Sequence, residues 1–385
     1  MRVLISTGPS YGLFFPLVPL AWALRAAGHE VVCASPEGHA RTVASAGLNF
    51  APTYGPMTMR EVMLADRAGR PVTIADTEPE LLEQVGRGFG RLAARTLPGV
   101  DDVVRRLRPD VVVAEPHAYS AAVSAATHGI PYVRHGIGMG FDPVIDRWGA
   151  DELAPELTAR GLADIPGPAL DLDPCPAPVR APHAEHLPPI RYIPFEAPTT
   201  LPAWLTTPRD RPRVLLTLGT VAPQGRGLPL FRELLAALPA LGVELVVAVE
   251  DKALSALEPL PDAVVAAGWL PLATAVGVCD VIVHHGGGGT TMAGIRAGVP
   301  QLLLPQVLPE QYDSARRLAD HGSALQLPGG NFSSSDIVDA AGRLLGEPEF
   351  TVRARALAAA VAEMPSPVEV LPYIESLTKA DMSAS

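Results

Sequence analysis

The sequence predicts an α/β protein built from two Rossmann-like domains that face each other across a cleft. Three observations lead there. The chain has 385 residues, more than one ordinary hydrophobic core holds and enough for two domains of roughly 150–200 residues each. A strand–helix–strand rhythm runs through each half. Between the halves, over residues 161–212, prolines recur every few residues with little apolar periodicity, as expected of irregular connection.

The elements follow in order. Val3, Leu4 and Ile5 are a short apolar run ended by Thr7-Gly8-Pro9, which reads as a buried parallel strand entering a turn. Residues 16–27 read as a helix, with Leu17, Leu20, Ala21 and Leu24 on one face and Gly28 as its stop. Residues 30–34 are the next strand and complete a βαβ unit. A strand at 111–114, a small-residue helix at 120–128 and a strand after Pro131 repeat the pattern. Beyond the proline-rich segment come a strand at 213–218, a helix at 230–238, a strand at 243–249, and buried strands at 264–266, 281–283 and 301–304. The expected domains are residues 1–205 and 206–362, with 363–385 a helix and tail that return to the first domain.

Composition narrows the function. Nearly half the residues are apolar and 18% are charged, which excludes a disordered chain. A net charge of -11 without a run of Lys or Arg argues against nucleic acid as a partner. Three widely spaced cysteines, Cys33, Cys175 and Cys279, cannot make a disulfide framework and fit a reducing, cytoplasmic setting. Pro16 and Pro19 interrupt the first apolar run, and no stretch is long enough to insert stably in a membrane. No metal site is expected. Asp171-Leu172-Asp173 and the pair His183 and His186 have metal-like spacing, but both lie among prolines without an element to align them.

The sharpest local signal is His284-His285-Gly286-Gly287-Gly288-Gly289-Thr290-Thr291, which follows the apolar strand at 281–283. Glycines let a backbone approach a ligand closely, and a helix start offers unpaired N–H groups with partial positive charge. That geometry suits a diphosphate. No Lys precedes Thr290, so the run is not the phosphate loop of ATPases, and Gly8-Pro9-Ser10-Tyr11-Gly12 is not a dinucleotide fingerprint. The bland alternative is a tight strand-to-helix turn. It is disfavoured because paired histidines beside such a turn have no evident packing use.

Residues 268–322 resemble the donor-binding region of the nucleotide-sugar glycosyltransferases, in the bacterial branch that decorates antibiotics and other natural products. The resemblance is carried by Trp269-Leu270-Pro271-Leu272, Cys279-Asp280, the run from His285 to Thr291, Gly298-Val299-Pro300, Pro305 and Glu310-Gln311. The opening, with residues 18–25 and Ala27-Gly28-His29-Glu30-Val31, resembles the start of the same family, so the likeness runs nearly end to end. It implies the two-domain fold called GT-B, with acceptor on the first domain and donor on the second. The implied donor residues are Gly219 and Thr220 near the phosphates, and Trp269 against the base with Leu270 beside it. His285 and the N–H groups of Gly287, Gly288, Gly289 and Thr290 fall to the diphosphate. Glu310 and Gln311 stand where the family usually has Asp-Gln on the sugar hydroxyls. For Trp269 a core position ending a strand is the alternative. No cofactor or metal is implied, the nucleotide-sugar being a co-substrate.

One departure matters. The family normally carries its general base, a His or an Asp, where this chain has Leu13, within Gly12-Leu13-Phe14-Phe15-Pro16. Glu115 corresponds to the carboxylate that commonly orients that His. Three accounts stay open. The base can come from Glu115, His117, His135 or Asp142. The acceptor can be a phenol, whose proton leaves easily. Attack can come from a phenolic ring carbon, as in the family's C-glycosylating members. Tyr11, Leu13, Phe14, Met57, Met63, Phe89, His117, Met139 and Phe141 are the candidate acceptor residues, because flexible Met and flat rings suit an apolar ligand. The expected activity is inverting transfer of a deoxysugar from a dTDP-sugar to a small aromatic, polyketide-like aglycone. The alternatives are a nucleotide-sugar epimerase on the same fold and a non-catalytic donor-binding subunit. A second copy of the chain stands open as a further partner.

Overall fold

The computed structural model describes residues 1–75, 77–219, 227–305, 308–327 and 332–380. The chain forms two compact units. The first comprises Met1–Pro174, Ala181–Phe195 and the chain from Pro365 on; the second comprises Cys175–Arg180 and Glu196–Met364.

The first unit is a six-stranded parallel sheet. Its strands are β1 (Arg2–Ser6), β2 (Glu30–Ser35), β3 (Asn49–Pro52), β4 (Val111–Ala114), β5 (Tyr132–His135) and β6 (Leu170–Leu172), in the order β3-β2-β1-β4-β5-β6. The central strands carry unbroken apolar runs, residues 3–5 in β1 and Val111–Ala114 in β4, because both faces are covered. Val3, Ile5, Val113 and Val133 pack on one side with Phe14, Leu17 and Leu24. Leu4, Val112 and Ala114 pack on the other with Val100, Val104 and Ala121. The C-terminal helix Pro367–Ala380 sends Val370, Leu371 and Ile374 into the first of these cores.

The second unit repeats the plan. Its strands are β7 (Arg213–Thr217), β8 (Glu244–Ala248), β9 (Val264–Gly268), β10 (Val281–His284), β11 (Gln301–Leu303) and β12 (Ala324–Gln326), in the order β12-β11-β10-β7-β8-β9. Val214, Leu216, Val247, Val281 and Val283 face one core; Leu215, Val246 and Ile282 face the other. The connecting chain is held by polar contacts. Arg317 donates to the Val179 carbonyl, and the Glu196 carboxylate accepts from the backbone N–H groups of Ala273 and Thr274 at the start of the helix Leu272–Val276.

Read from its own first strand, each sheet has the order 3-2-1-4-5-6. The strand order reverses between β1 and β4 and again between β7 and β10, and the loops leaving the carboxyl ends part there to open a crevice. The α/β architecture of two Rossmann-like domains is therefore the one the sequence predicts. No described helix is long and apolar enough to cross a membrane, and all three cysteines are buried and unpaired in disulfides.

Candidate active site

In the second unit, β7 and β10 deliver Gly219 and the glycine turn to the same crevice. Gly219 has φ +71 and Gly286 φ +88, left-handed values that favour glycine. The imidazole of His285 lies in a slot between two glycines. A Cβ on Gly219 would sit 2.6 Å from His285 Cε1, and one on Gly287 would sit 2.6 Å from Nε2. The slot exists only because both positions lack side chains. His285 Nδ1 is buried without a hydrogen-bond partner, and burial lowers the ring's pKa to about 4, so it is neutral at pH 7.

Gly287 caps the helix Gly288–Ala297, whose first backbone bond runs from Thr291 N–H to the Gly287 carbonyl at 3.0 Å. The N–H groups of Gly288, Gly289 and Thr290 thus fall in the first turn, where a helix offers them no partner of its own. Glu310 and Gln311 begin the helix Pro309–His321 against this turn, since a Cβ on Gly286 would lie 3.3 Å from Gln311 Cβ. Glu310 Oε2 is buried without a partner, and burial pushes the carboxyl up to about 7. Trp269 follows β9 and is 52% exposed, so it is a surface residue rather than the core Trp of the alternative reading; Leu270 beside it is half-buried. Thr220 lies outside the described residues.

His284 is the residue that sequence reasoning passed over. It is fully buried, its Nδ1 accepts the Gly286 N–H at 3.2 Å, and its Nε2 meets Gln301 Oε1 at 2.9 Å. One of the paired histidines therefore does have an internal use. The available signal was alternation along β10, which turns His284 and His285 to different surroundings.

In the first unit, Glu115 follows β4 and is completely buried. One carboxylate oxygen accepts the Gly8 N–H at 3.2 Å and the other the His117 N–H at 2.7 Å. Burial outweighs these two donors and pushes the carboxyl up to about 7. Leu13 closes over it: a Cβ on Gly8 would lie 2.7 Å from Leu13 Cδ1 and 3.7 Å from Glu115 Oε1. Leu13 joins Met57, Phe89 and Tyr119 in one apolar cluster, with Met63 and Phe141 packed against it. His117 stacks on Phe89 with centroids 4.1 Å apart and meets Phe141 edge-on at 4.5 Å. Its Nδ1 has no partner, and burial lowers its pKa to about 3. Beside it is a cavity of about 10 Å³ lined also by Thr7, Thr96 and Ser120, room for one water molecule.

The remaining candidates are elsewhere. Phe14 is fully buried in the core with Val3 and Ile5, on the side of the sheet away from Leu13's cluster. Tyr11 is exposed, and its ring lies tilted against Phe15 with centroids 5.2 Å apart. Met139 is buried outside that cluster. His135 is buried, with Nδ1 placed 2.6 Å from the Gly136 carbonyl to which it donates, and burial lowers it to about 4. Asp142 is exposed and accepts the Val144 N–H at 2.9 Å, a turn contact at the start of the helix Val144–Thr158. Asp171 pairs with Arg134 across β5 and β6.

Comparison with known proteins identifies the family of the chain. Residues 22–219 match the N-terminal domain model, and 232–377 the C-terminal domain model, of erythromycin biosynthesis protein CIII-like proteins. The L-demethylnoviosyl transferase of Streptomyces niveus is 36% identical over 374 residues, covering 96% of each chain. The glycosyltransferase SsfS6 of Streptomyces sp. SF2575, solved with thymidine diphosphate, is 40% identical with a TM-score of 0.87, over 98% of this chain and 99% of that one. The spinosyn rhamnosyltransferase SpnG, solved with spinosyn aglycone, is 30% identical with a TM-score of 0.84, over 97% of this chain and 100% of that one. Matched in sequence along both units and in fold throughout, the chain belongs to the erythromycin biosynthesis protein CIII-like family and is a natural-product glycosyltransferase.

Proposed function

We propose that the chain moves a deoxysugar from a dTDP-sugar to a small aromatic, polyketide-like acceptor, with inversion at the sugar carbon. The observation that carries the donor half is the slot that holds His285 between Gly219 and Gly287, its Nδ1 unpaired beside the start of a helix. Such a group, with the N–H groups of Gly287, Gly288, Gly289 and Thr290, meets the charge that grows on the diphosphate as its bond to the sugar breaks. This assignment calls on no metal ion. Trp269 stacks on the base with Leu270 beside it, and Glu310 and Gln311 hold sugar hydroxyls. A thymidine diphosphate complex of a relative 40% identical supports the nucleotide.

The acceptor half rests on Leu13 and its neighbours Met57, Met63, Phe89, His117 and Phe141, an apolar and aromatic lining. Leu13 cannot take a proton. Glu115 sits beneath it with both oxygens held by backbone N–H groups, an arrangement that favours a role in holding two loops together over one as a base. We therefore assign an acceptor that needs little help to ionise, or one that attacks through a ring carbon. The acceptor atom bonds to the sugar carbon, the bond to the diphosphate breaks, and the acceptor's proton passes to water.

The test compares wild type and Leu13→His on a phenol and on an aliphatic alcohol of similar shape. A base contributes about 10²–10⁴-fold when a poorly acidic proton must leave, and little when the acceptor ionises readily. Wild type is expected to glycosylate the phenol, with little gain from the substitution, while activity on the alcohol rises. A large gain on the phenol overturns the reading, because deprotonation would then have been limiting.

A further inference from the structure

We propose that His284 is a positioning residue for the diphosphate site, holding the glycine turn in place through a hydrogen-bonded chain that ends on the first turn of the following helix. The proposal rests on the donor-site reading of the crevice between β7 and β10.

The chain has a definite direction. The Gly286 N–H donates to His284 Nδ1 at 3.2 Å, so Nδ1 carries no proton. The proton is then on Nε2, which donates to Gln301 Oε1 at 2.9 Å. With its oxygen used, the Gln301 amide donates to the Thr291 carbonyl at 3.3 Å. Any other tautomer of His284 would set two N–H groups against each other at Gly286. Both side chains are buried, His284 at 0% and Gln301 at 2% exposure, so water cannot replace a lost partner.

The contacts tie three elements together: the end of β10, the turn, and the helix Gly288–Ala297. Packing sets the Gln301 amide from the far side, since a Cβ on Gly294 would sit 2.6 Å from its Cδ. Gly286 has φ +88 and joins His285 to the helix cap Gly287, so the orientation of the His285–Gly286 peptide, whose N–H His284 holds, sets how the His285 ring and the N–H groups that follow are placed. A turn free to rotate at Gly286 would move the His285 ring out of its slot and swing the N–H groups off a bound diphosphate. Gly286 supplies the freedom and His284 removes it. A neutral, fully buried imidazole suits that task, because a neutral ring keeps its acceptor nitrogen.

The test measures binding of thymidine diphosphate by calorimetry and donor and acceptor KM for wild type, His284→Leu, His284→Asn and Gln301→Leu, after confirming each fold by circular dichroism. His284→Leu is expected to weaken nucleotide affinity on the order of 10- to 100-fold, the scale of one unsatisfied buried donor, and to raise donor KM while acceptor KM stays. His284→Asn returns an oxygen acceptor near the Nδ1 position and is expected to recover most of the loss. A second measurement needs no variant: the ¹⁵N shifts of His284 in the wild-type protein are expected to show the Nε2–H tautomer. The Nδ1–H tautomer, or folded variants with unchanged nucleotide affinity and donor KM, overturns the proposal. Failure of wild type itself to bind thymidine diphosphate would instead remove the donor-site reading beneath it.

Discussion

The crevice between β1 and β4 and the crevice between β7 and β10 occupy the same place in two sheets of the same order, yet they are made of opposite materials. Around β7 and β10 the walls are glycine backbone and polar side chains, with His285 Nδ1 and Glu310 Oε2 left without partners. Around β1 and β4 the walls are mostly apolar, with Leu13, Met57 and Phe89; the Glu115 carboxylate is satisfied by the protein's own N–H groups, and His117 Nδ1 is left without a partner. A buried polar atom without a partner costs free energy unless something arrives to meet it. The second crevice thus presents unmet polar groups along a glycine backbone, whereas the first sets its unmet group, His117 Nδ1, within an apolar and aromatic wall. One fold carries both because the sheet fixes where loops part, while the loops fix what is bound.

Three measurements can break or sharpen that contrast. The largest effect is expected from His285→Ala, which empties the slot between Gly219 and Gly287. Turnover is expected to fall about 10²–10³-fold, in scale with about 2.7–4 kcal/mol for losing one such donor, with the circular dichroism spectrum unchanged. If turnover and nucleotide affinity both stay the same, the polar crevice is not where the diphosphate sits.

Next in size is Trp269→Ala. An exposed indole that stacks on a base contributes about 1–3 kcal/mol by alanine substitution, and on the proposed reading it meets the nucleotide rather than the acceptor. Calorimetry with nucleoside diphosphate and with acceptor, each titrated separately, is expected to show weakened binding of the first only. Equal losses on both would mean that Trp269 acts through packing rather than stacking.

The smallest effect concerns Glu115→Gln and tests whether the apolar crevice is as dry as its contacts imply. Burial raises the Glu115 carboxyl from its ordinary 4.5 to about 7, so the folded state holds the proton more tightly than the unfolded state. The stability this contributes is complete below about pH 4.5 and is lost as pH rises through about 7. Gln cannot titrate. The melting temperature of the variant minus that of wild type is therefore expected to climb by a few degrees between those limits. A flat difference would mean that water already reaches the carboxyl.

The same contrast explains what could be read in advance. The glycine turn was legible because backbone chemistry leaves a mark in sequence: consecutive glycines after an apolar strand predict a tight turn into a helix. The central strands were legible for a related reason, since burial on both faces forces unbroken apolar runs such as Val111–Ala114. The edge strands β3, β6 and β12 were not read, being three or four residues long with partly exposed, mixed sequences such as Leu170–Leu172. The helix Glu78–Leu107 was also missed, its 30 residues interrupted by Pro98 and four glycines that elsewhere mark turns. In the first unit no motif separates Phe14, which joins the core with Val3 and Ile5, from Leu13, which joins the cluster of Met57 and Phe89. Adjacent residues part company there through a one-turn helix whose rotation only the fold determines. The partnership of His284 with Gln301 spans 17 residues and is equally invisible without the parallel pairing of β10 and β11.

The helix Pro367–Ala380 has a consequence for how the chain comes to be folded at all. Because Val370, Leu371 and Ile374 complete the core around β1 and β4, residues of β1 and β4 cannot finish their packing until the helix Pro367–Ala380 has been made. The second unit, whose main segment ends at Met364, is synthesised in the interval and can fold while the first is still waiting. During vectorial synthesis the early unit must persist as an open-cored intermediate, exposed to chaperones and to aggregation. A ribosome that stops short of residue 367 releases a chain whose second unit has every strand of its sheet and whose first unit lacks a wall.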